Sequence, residues 1–553
     1  MHTIFSLRKT LLGLLADTCT SLAGEEVAIE AFPPFALPRE SIHGDLSSNA
    51  AMMMAKRLRR SPKEIAEIFR VALETSELVD HVEIAGPGFL NIFLSSFMLK
   101  EILETILTLL GGYGRSAVHT GKRVLVEFVS ANPTGPLHVG HIRGAVVGDT
   151  VAELMAAVGY EVQREYYYND AGAQMRNLGL SVQARYGELY GLHFTFPEDG
   201  YKGAYIIEIA EQIRREHGDS HLETGWEWFT QYAAERLMKR ISEDLAALRI
   251  SFDSFVSEKS LYDSGEVNSS LSDLAAQHAT YERDGAVWLR STLKGDDKDR
   301  VLVKSDGEPT YVTPDIAYHR SKLRRGFNRL VNVMGHDHHS QAERVKYALE
   351  LLGLETSSLH YLLTQMVSLK AGDQLMKFSK REGELITMRE MIDDVSADVT
   401  RYFFIQRSYT AQMTFDWELA KSRSMDNPVY YLQYVHARAC SIAAKAVEKG
   451  ISAQIGEELD WSILAFTRER ELLTKLAHYP AIVLDAADRL EPHLLTNYLE
   501  DLAKTFHAYY QAQRVLSESD PQGSKPRFLL VQAVRQVIEN ALGILKVTAP
   551  EKM

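Results

Sequence analysis

The sequence predicts an α/β fold of the Rossmann kind, joined to an α+β N-terminal region and an all-α C-terminal region. Three observations predict it. Residues 123–129 form a β-branched run, followed by a Pro/Gly loop, a helical stretch from about 142 to 157, and a strand candidate at Tyr160-Glu161-Val162. Strand, loop, helix and strand in that order make a βαβ unit. Short apolar runs return at 300–303, 330–334 and 361–367, of the type buried on both faces of a parallel sheet. From about residue 395 onward nearly everything has helical period with few glycines, which predicts an all-α domain.

With 553 residues the chain exceeds what one core can organise. The expected division is 1–112, 113–394 and 395–553, with a mostly helical insertion at about 180–295. The first region opens helical and carries 65–69 at helical spacing. It ends in a strand-like run at 86–94, and Gly111-Gly112-Tyr113-Gly114 reads as a linker. Hydrophobic residues make up 45% and charged residues 24%, ordinary for a soluble globular chain.

The two cysteines, Cys19 and Cys440, form no CxxC pair, which argues against a disulfide framework or cysteine zinc site and suits a reducing cytoplasm. The apolar stretch 11–16 runs into Asp17, too short for a signal peptide, and nothing approaches the ~20 apolar residues that span a bilayer. A net charge of −13 speaks only weakly against nucleic acid, because local fields govern such binding. Two basic clusters, Lys56-Arg57-Leu58-Arg59-Arg60 with Lys63, and Arg320 to Arg329, read first as solvated helix faces.

The loop after the first strand reads Ser130-Ala131-Asn132-Pro133-Thr134-Gly135-Pro136-Leu137-His138-Val139-Gly140-His141. Two histidines flank a glycine where the chain enters a helix. A helix start offers free N–H groups and a positive dipole, imidazoles add donors, and Gly140 admits a flat ligand. A nucleotide triphosphate suits such a site. The alternatives are a metal pair or two surface histidines, though a zinc site would want a third ligand nearby. Downstream, Lys377-Phe378-Ser379-Lys380 lies between Gly372 and Gly383. Lysine follows phosphate charge well on its flexible stem, yet a solvated basic loop reads equally from so short a pattern.

An HxGH loop and a KxSK loop some 240 residues apart in one α/β domain resemble the two signatures of class I aminoacyl-tRNA synthetases. Phe378 departs from the usual Met of the second. The resemblance narrows to the arginyl-tRNA synthetases on long strings. These include 127–133, Glu165-Tyr166-Tyr167-Tyr168-Asn169-Asp170-Ala171-Gly172, 310–319, Gly335-His336-Asp337-His338-His339, 427–434 and the ending Ala549-Pro550-Glu551-Lys552-Met553. It implies ATP and L-arginine as substrates, with Mg²⁺ accompanying ATP, and the tRNA for arginine as partner.

The same resemblance implies site residues. His138, His141, Lys377 and Lys380 would be catalytic. Gly140, Asp337, Met366 and Ser379 would join them around ATP. Glu127, Ser130, Asn132, Tyr311, Asp315 and His336 would line the arginine pocket, and Tyr431, Tyr434, Tyr510 and Met553 would meet tRNA. No protein-held metal, no membrane and a monomer are expected. A guanidinium is a planar fork of donors best held by carboxylates, which suits Glu127 and Asp315. Read without the resemblance, Glu127 is a strand-end surface residue and Asp315 a helix-start residue. Tyr431 and Tyr434, on one helix face, read as bundle core. A class I ligase for cysteine would carry a Cys/His zinc set, which is missing here. A catalytically dead paralogue that only binds RNA remains the other alternative.

Overall fold

The computed structural model describes residues 4–36, 38, 43–372, 374–376, 379–381 and 384–553. The chain divides into two compact units, one of Ala117–Ser422 with Leu490–His493, the other of Met1–Ser116, Arg423–Arg489 and Leu494–Met553.

In the first unit five parallel strands form one sheet. They are β1 (Arg123–Glu127), β2 (Glu161–Tyr168), β3 (Ser254–Ser257), β4 (Arg329–Gly335) and β5 (Leu359–Thr364), in the order β5-β4-β1-β2-β3. Val124, Leu125 and Val126 are wholly buried, as expected where both faces of a parallel sheet are covered. The winding reverses at β1, with β2 on one side and β4 on the other. Beyond the carboxyl ends of the strands at such a reversal a crevice opens. Glu127 ends β1 at that place.

Helix α1 (Val139–Ala157) follows β1, starting three residues earlier than periodicity alone suggests, with His138 as its N-cap. It lies tight against the chain leaving β1, because a Cβ at Gly148 would run into the Phe128 side chain. Gly148→Ala is expected to lower stability by about 1–3 kcal/mol through overpacking, read as a lower urea midpoint of the full-length protein. The helix Ala397–Ile405 packs on α1. There Arg401 and Asp149, both fully buried, form an ion pair of 2.6 Å. This segment, grouped above with the C-terminal region, therefore belongs to the sheet-bearing unit.

Three further expectations are corrected. Arg300–Val303 does not resume the parallel alternation: it pairs antiparallel with Ala286–Leu289 in a separate three-stranded sheet. The helical insertion, with helices Gly172–Glu188, Ala204–His217 and Trp226–Ala247, is not wholly an interruption, since Ser254–Ser257 supplies edge strand β3. Residues 361–367 are not one strand either: β5 stops at Thr364, and Val367–Ala371 pairs parallel with Met413–Asp416, a strand inside the region expected to be all helical. Short β-branched runs fix strand character, but which sheet they join depends on partners distant in sequence.

The second unit holds a three-stranded antiparallel sheet, Leu46–Ser48 beside Phe89–Leu94 beside Val79–Ala85. Its helices include Pro62–Glu74, started by a Ser61/Glu64 capping box, and the long C-terminal helices Pro428–Glu448, Thr467–Arg489, His493–Ala512 and Pro521–Ile544. Asp45, 3% exposed, accepts from the Leu94 N–H at 2.7 Å, Arg470 Nη2 at 2.6 Å and the Thr474 hydroxyl at 2.6 Å. A buried carboxylate satisfied from both ends of the chain explains why N- and C-terminal segments share one unit. No helix among the described residues is long and apolar enough to cross a membrane.

Candidate active site

The site begins with a strained turn. Val129 and Ser130 both have positive φ, 68° and 45°, a region that a β-branched residue enters at a cost of roughly 1–3 kcal/mol. The Ser130 N–H closes the turn on the Phe128 carbonyl at 2.9 Å. Tyr166 pins the next residue: its hydroxyl accepts from the Ala131 N–H at 3.2 Å and donates to the Ala131 carbonyl at 2.8 Å. The Ser130 hydroxyl donates to Glu127 Oε1 at 2.9 Å. Asn132 accepts from the Asn169 N–H at 3.0 Å and donates to Gln174 at 2.8 Å. Glu127 and Ser130 are thereby in contact, while Asn132 is held by Asn169 and Gln174.

The two histidines cap α1 and each other. The Gly140 N–H donates to His138 Nδ1 at 3.1 Å, and the His138 N–H donates to His141 Nδ1 at 3.2 Å. Their rings stand 4.0 Å apart. With both Nδ1 atoms accepting, each neutral ring carries its proton on Nε2. Burial pushes His141 down to about 3, helped by the neighbouring ring, and lowers His138 as well.

The pair thus offers N–H donors without positive charge. The expected free N–H groups of the first turn are already taken: Val139 donates to the Ile386 carbonyl at 3.1 Å and His141 to the His138 carbonyl at 2.8 Å. Gly140 has a nearer reason to be glycine than a flat ligand, since a Cβ would stand 2.9 Å from the His138 ring. Beside the pair a cavity of about 600 Å³ is lined by Asn132, His138, His141, Gln174, Tyr205 and Glu390, among others.

A polar row crosses the sheet next to this loop. In register, Asn332 of β4 lies beside Glu127 of β1, which lies beside Glu165 of β2. Helix α2 (Val312–Arg324) brings cations to the row. Lys322, with no exposed surface, donates to Glu127 Oε2 and, at 2.7 Å, to the Asn332 amide oxygen. Arg325, just past α2, holds Glu165 in a fork with two contacts of 2.7 Å. Burial opposes ionisation of Glu165, but those hydrogen bonds keep it below the usual carboxylate range.

Asp315, on the first turn of α2, accepts from the Gln341 side-chain amide. Burial pushes its carboxyl up to about 7. The charges of Glu258 and Glu127 add to that, against the Gln341 amide and the Lys322 ammonium. Asp315 shares helix α2 with Lys322, which contacts Glu127, and the Glu127 charge acts on the Asp315 carboxyl. The basic cluster 320–329, read as a solvated face, is corrected by this arrangement. Arg320 is 2% exposed and bound to Ser270 at 3.1 Å and to Asp273, while Lys322 is buried. Asp315, His319 and Lys322 are spaced four and three apart, on one helix face, a signal the sequence reading passed over.

Other candidates stand open. Tyr311 is 75% and Met366 79% exposed, and His336 and Asp337 are exposed at the carboxyl end of β4. Lys377 lies outside the described residues. Ser379 and Lys380 fall in the strand Ser379–Arg381, and their side chains are outside the description. In the second unit Tyr431, Tyr434 and Tyr510 are half-buried, not core, and Met553 is exposed. Arg438, which the sequence reading missed, donates to the Tyr434 hydroxyl and lies 5.2 Å from the centres of both the Tyr434 and Tyr510 rings. The cluster Lys56–Lys63 is exposed, with Arg57 paired to Glu25 at 3.0 Å.

Residues 7–94 match the arginyl tRNA synthetase N-terminal domain, 103–404 the catalytic domain of tRNA synthetases class I (R), and 432–553 the DALR anticodon binding domain. The chain is 44% identical to arginine–tRNA ligase 1 of Halalkalibacterium halodurans, covering 98% of this chain and 97% of that one. It is 45% identical to arginine–tRNA ligase of Syntrophotalea carbinolica, over 94% of each. The fold is shared with Thermus thermophilus arginyl-tRNA synthetase at a TM-score of 0.76 and 23% identity, covering 99% of this chain and 100% of that one. This chain belongs to the arginyl-tRNA synthetases, a class I aminoacyl-tRNA synthetase family.

Proposed function

We propose that this chain joins L-arginine to its tRNA at the expense of ATP, through an arginyl-adenylate, releasing pyrophosphate and AMP. The observation that supports the reading is that helix α2, which bears Asp315, sets Lys322 on Glu127 at the end of β1, where the sheet order reverses, while the loop leaving β1 ends in a neutral, Nε2-protonated histidine pair. A forked cation fits the two carboxylates; lysine, with one compact ammonium, leaves buried acceptors unsatisfied. Ser130, Asn132, Tyr311 and His336 complete the arginine pocket.

The arginine carboxylate is already ionised, so attack on the α-phosphorus needs no general base and depends on positioning and charge stabilisation. His138 and His141 donate from Nε2 to the phosphates, with Gly140, Asp337, Met366 and Ser379 around the nucleotide. Lys377 and Lys380 then close over the leaving pyrophosphate. Mg²⁺ brought with ATP would share the phosphate charge there. The arginyl group passes to the terminal adenosine of the tRNA. Tyr431, Tyr434 and Tyr510 meet the anticodon loop by stacking, with Met553 beside them, and the basic segment Lys56–Lys63, running from the helix Ala50–Leu58 into the helix Pro62–Glu74, meets the tRNA elbow. The protein acts as a cytoplasmic monomer.

Asp315 gives the assay a pH signature. Its carboxyl stands at about 7 without ligand, and guanidinium binds the ionised form, so below that pH a proton must leave on binding. The arginine KM in tRNA esterification is expected to rise about tenfold per unit below pH 7 and to level off above it. A protein that binds tRNA but esterifies no arginine at any pH would overturn the reading in favour of an RNA-binding paralogue.

A further inference from the structure

We propose that Lys322 is a positioning residue for the arginine site: from beneath the sheet's polar row it fixes Glu127 and, through Asn332 and His319, ties that carboxylate to the helix turn carrying Asp315. The inference rests on the arginine-binding reading above and names the group that sets its geometry.

The chain of contacts has one direction. Lys322 Nζ has only donors, and gives them to Glu127 Oε2 and to Asn332 Oδ1 at 2.7 Å. With the Asn332 oxygen turned to Lys322, its Nδ2, which can only donate, gives a hydrogen bond to His319 Nε2 at 3.2 Å. That leaves the His319 proton on Nδ1, from which it donates to the Asp315 carbonyl at 2.8 Å. Each member is largely buried: Lys322 0%, Asn332 1%, His319 5% and Glu127 7% exposed. A buried network with every link satisfied holds one arrangement. The register puts Glu127 directly beside Glu165, so two carboxylates meet on one face. Arg325 answers Glu165 with its fork, and Lys322 answers Glu127.

The same ammonium acts on Asp315. The charged and titratable groups around that carboxyl are Glu127 from β1, Tyr167 from β2, Glu258 and Tyr262 from the helix Glu258–Asp263, Tyr361 from β5, and Lys322 and His319 from its own helix. Gln341 supplies a neutral donor. Lys322 is the cation among those acting on Asp315. Without it, Asp315 faces Glu127 and Glu258 uncompensated, and Glu127 loses its anchor.

The test is Lys322→Met in the full-length protein, assayed by tRNA esterification from pH 5.5 to 8.5, with melting followed by circular dichroism. The arginine KM is expected to rise by about 30-fold or more, the usual scale for truncating one partner of a buried charge pair, while the ATP KM stays within about threefold. The pH below which the arginine KM climbs should move upward by about one unit, because a positive charge has been removed near the titrating group. A folded variant with arginine and ATP KM raised alike, or with an unmoved pH midpoint, overturns the proposal. If Lys322→Met gives no cooperative melt, Asn332→Leu decides, since it cuts the middle link and keeps both charges. It should raise the arginine KM by about tenfold with kcat kept, and an unchanged arginine KM overturns the inference. Absence of arginine esterification by the unsubstituted protein would instead sink the functional reading.

Discussion

Asp315→Asn is expected to raise the arginine KM by about 10²- to 10³-fold and to abolish its dependence on pH below 7. The first effect follows from replacing a charged acceptor by a neutral amide in a buried site facing a guanidinium, which costs about 2–5 kcal/mol. The second follows because Asp315 is the carboxyl raised to about 7, and removing it removes the proton that must leave before guanidinium binds there. Folding should be little harmed. The substitution removes a carboxyl that burial and the charges of Glu258 and Glu127 already disfavour, and Asn can still accept from Gln341. Steady-state esterification at pH 6 and 8, each with arginine varied, checks both. A variant with a parental arginine KM would remove Asp315 from the pocket.

His141→Ala is expected to lower kcat by about 10²- to 10³-fold, the usual loss for one preorganised donor aimed at developing charge. The ring is neutral, since burial and His138 hold it near 3, so its contribution is a directed Nε2–H and not a cation. The loss should therefore depend little on ionic strength. His141 Nδ1 also accepts from the His138 N–H, and deleting that cap costs about 1 kcal/mol of stability; a melting curve separates this from the rate. A kcat within tenfold of the parent in a folded variant would show that the histidine pair is structural only.

Local chemistry made much of the site legible in the sequence. The β-branched run of β1, the Pro/Gly loop and the helix behind it are set by neighbours in the chain, so their order and type could be read directly. The strand register could not be read. That Asn332, Glu127 and Glu165 stand in one row, and that Arg300–Val303 joins another sheet, depends on pairings between segments tens to hundreds of residues apart. The cluster 320–329 shows the limit most sharply: a basic helix face reads as solvated unless one knows that carboxylates wait beneath it.

By itself, the sequence determined the α/β and helical regions, the placing of His138 and His141 at a helix start, and the strings that mark an arginyl-tRNA synthetase. These depend on residue type and short spacing, which folding leaves unchanged. Only the tertiary structure decided that the histidines cap one another and stand neutral, that Lys322 and Arg325 turn inward to the carboxylate row, and that Asp315 is raised to about 7. Burial and the company of distant charges set protonation and direction, and both arise only when the strands have paired.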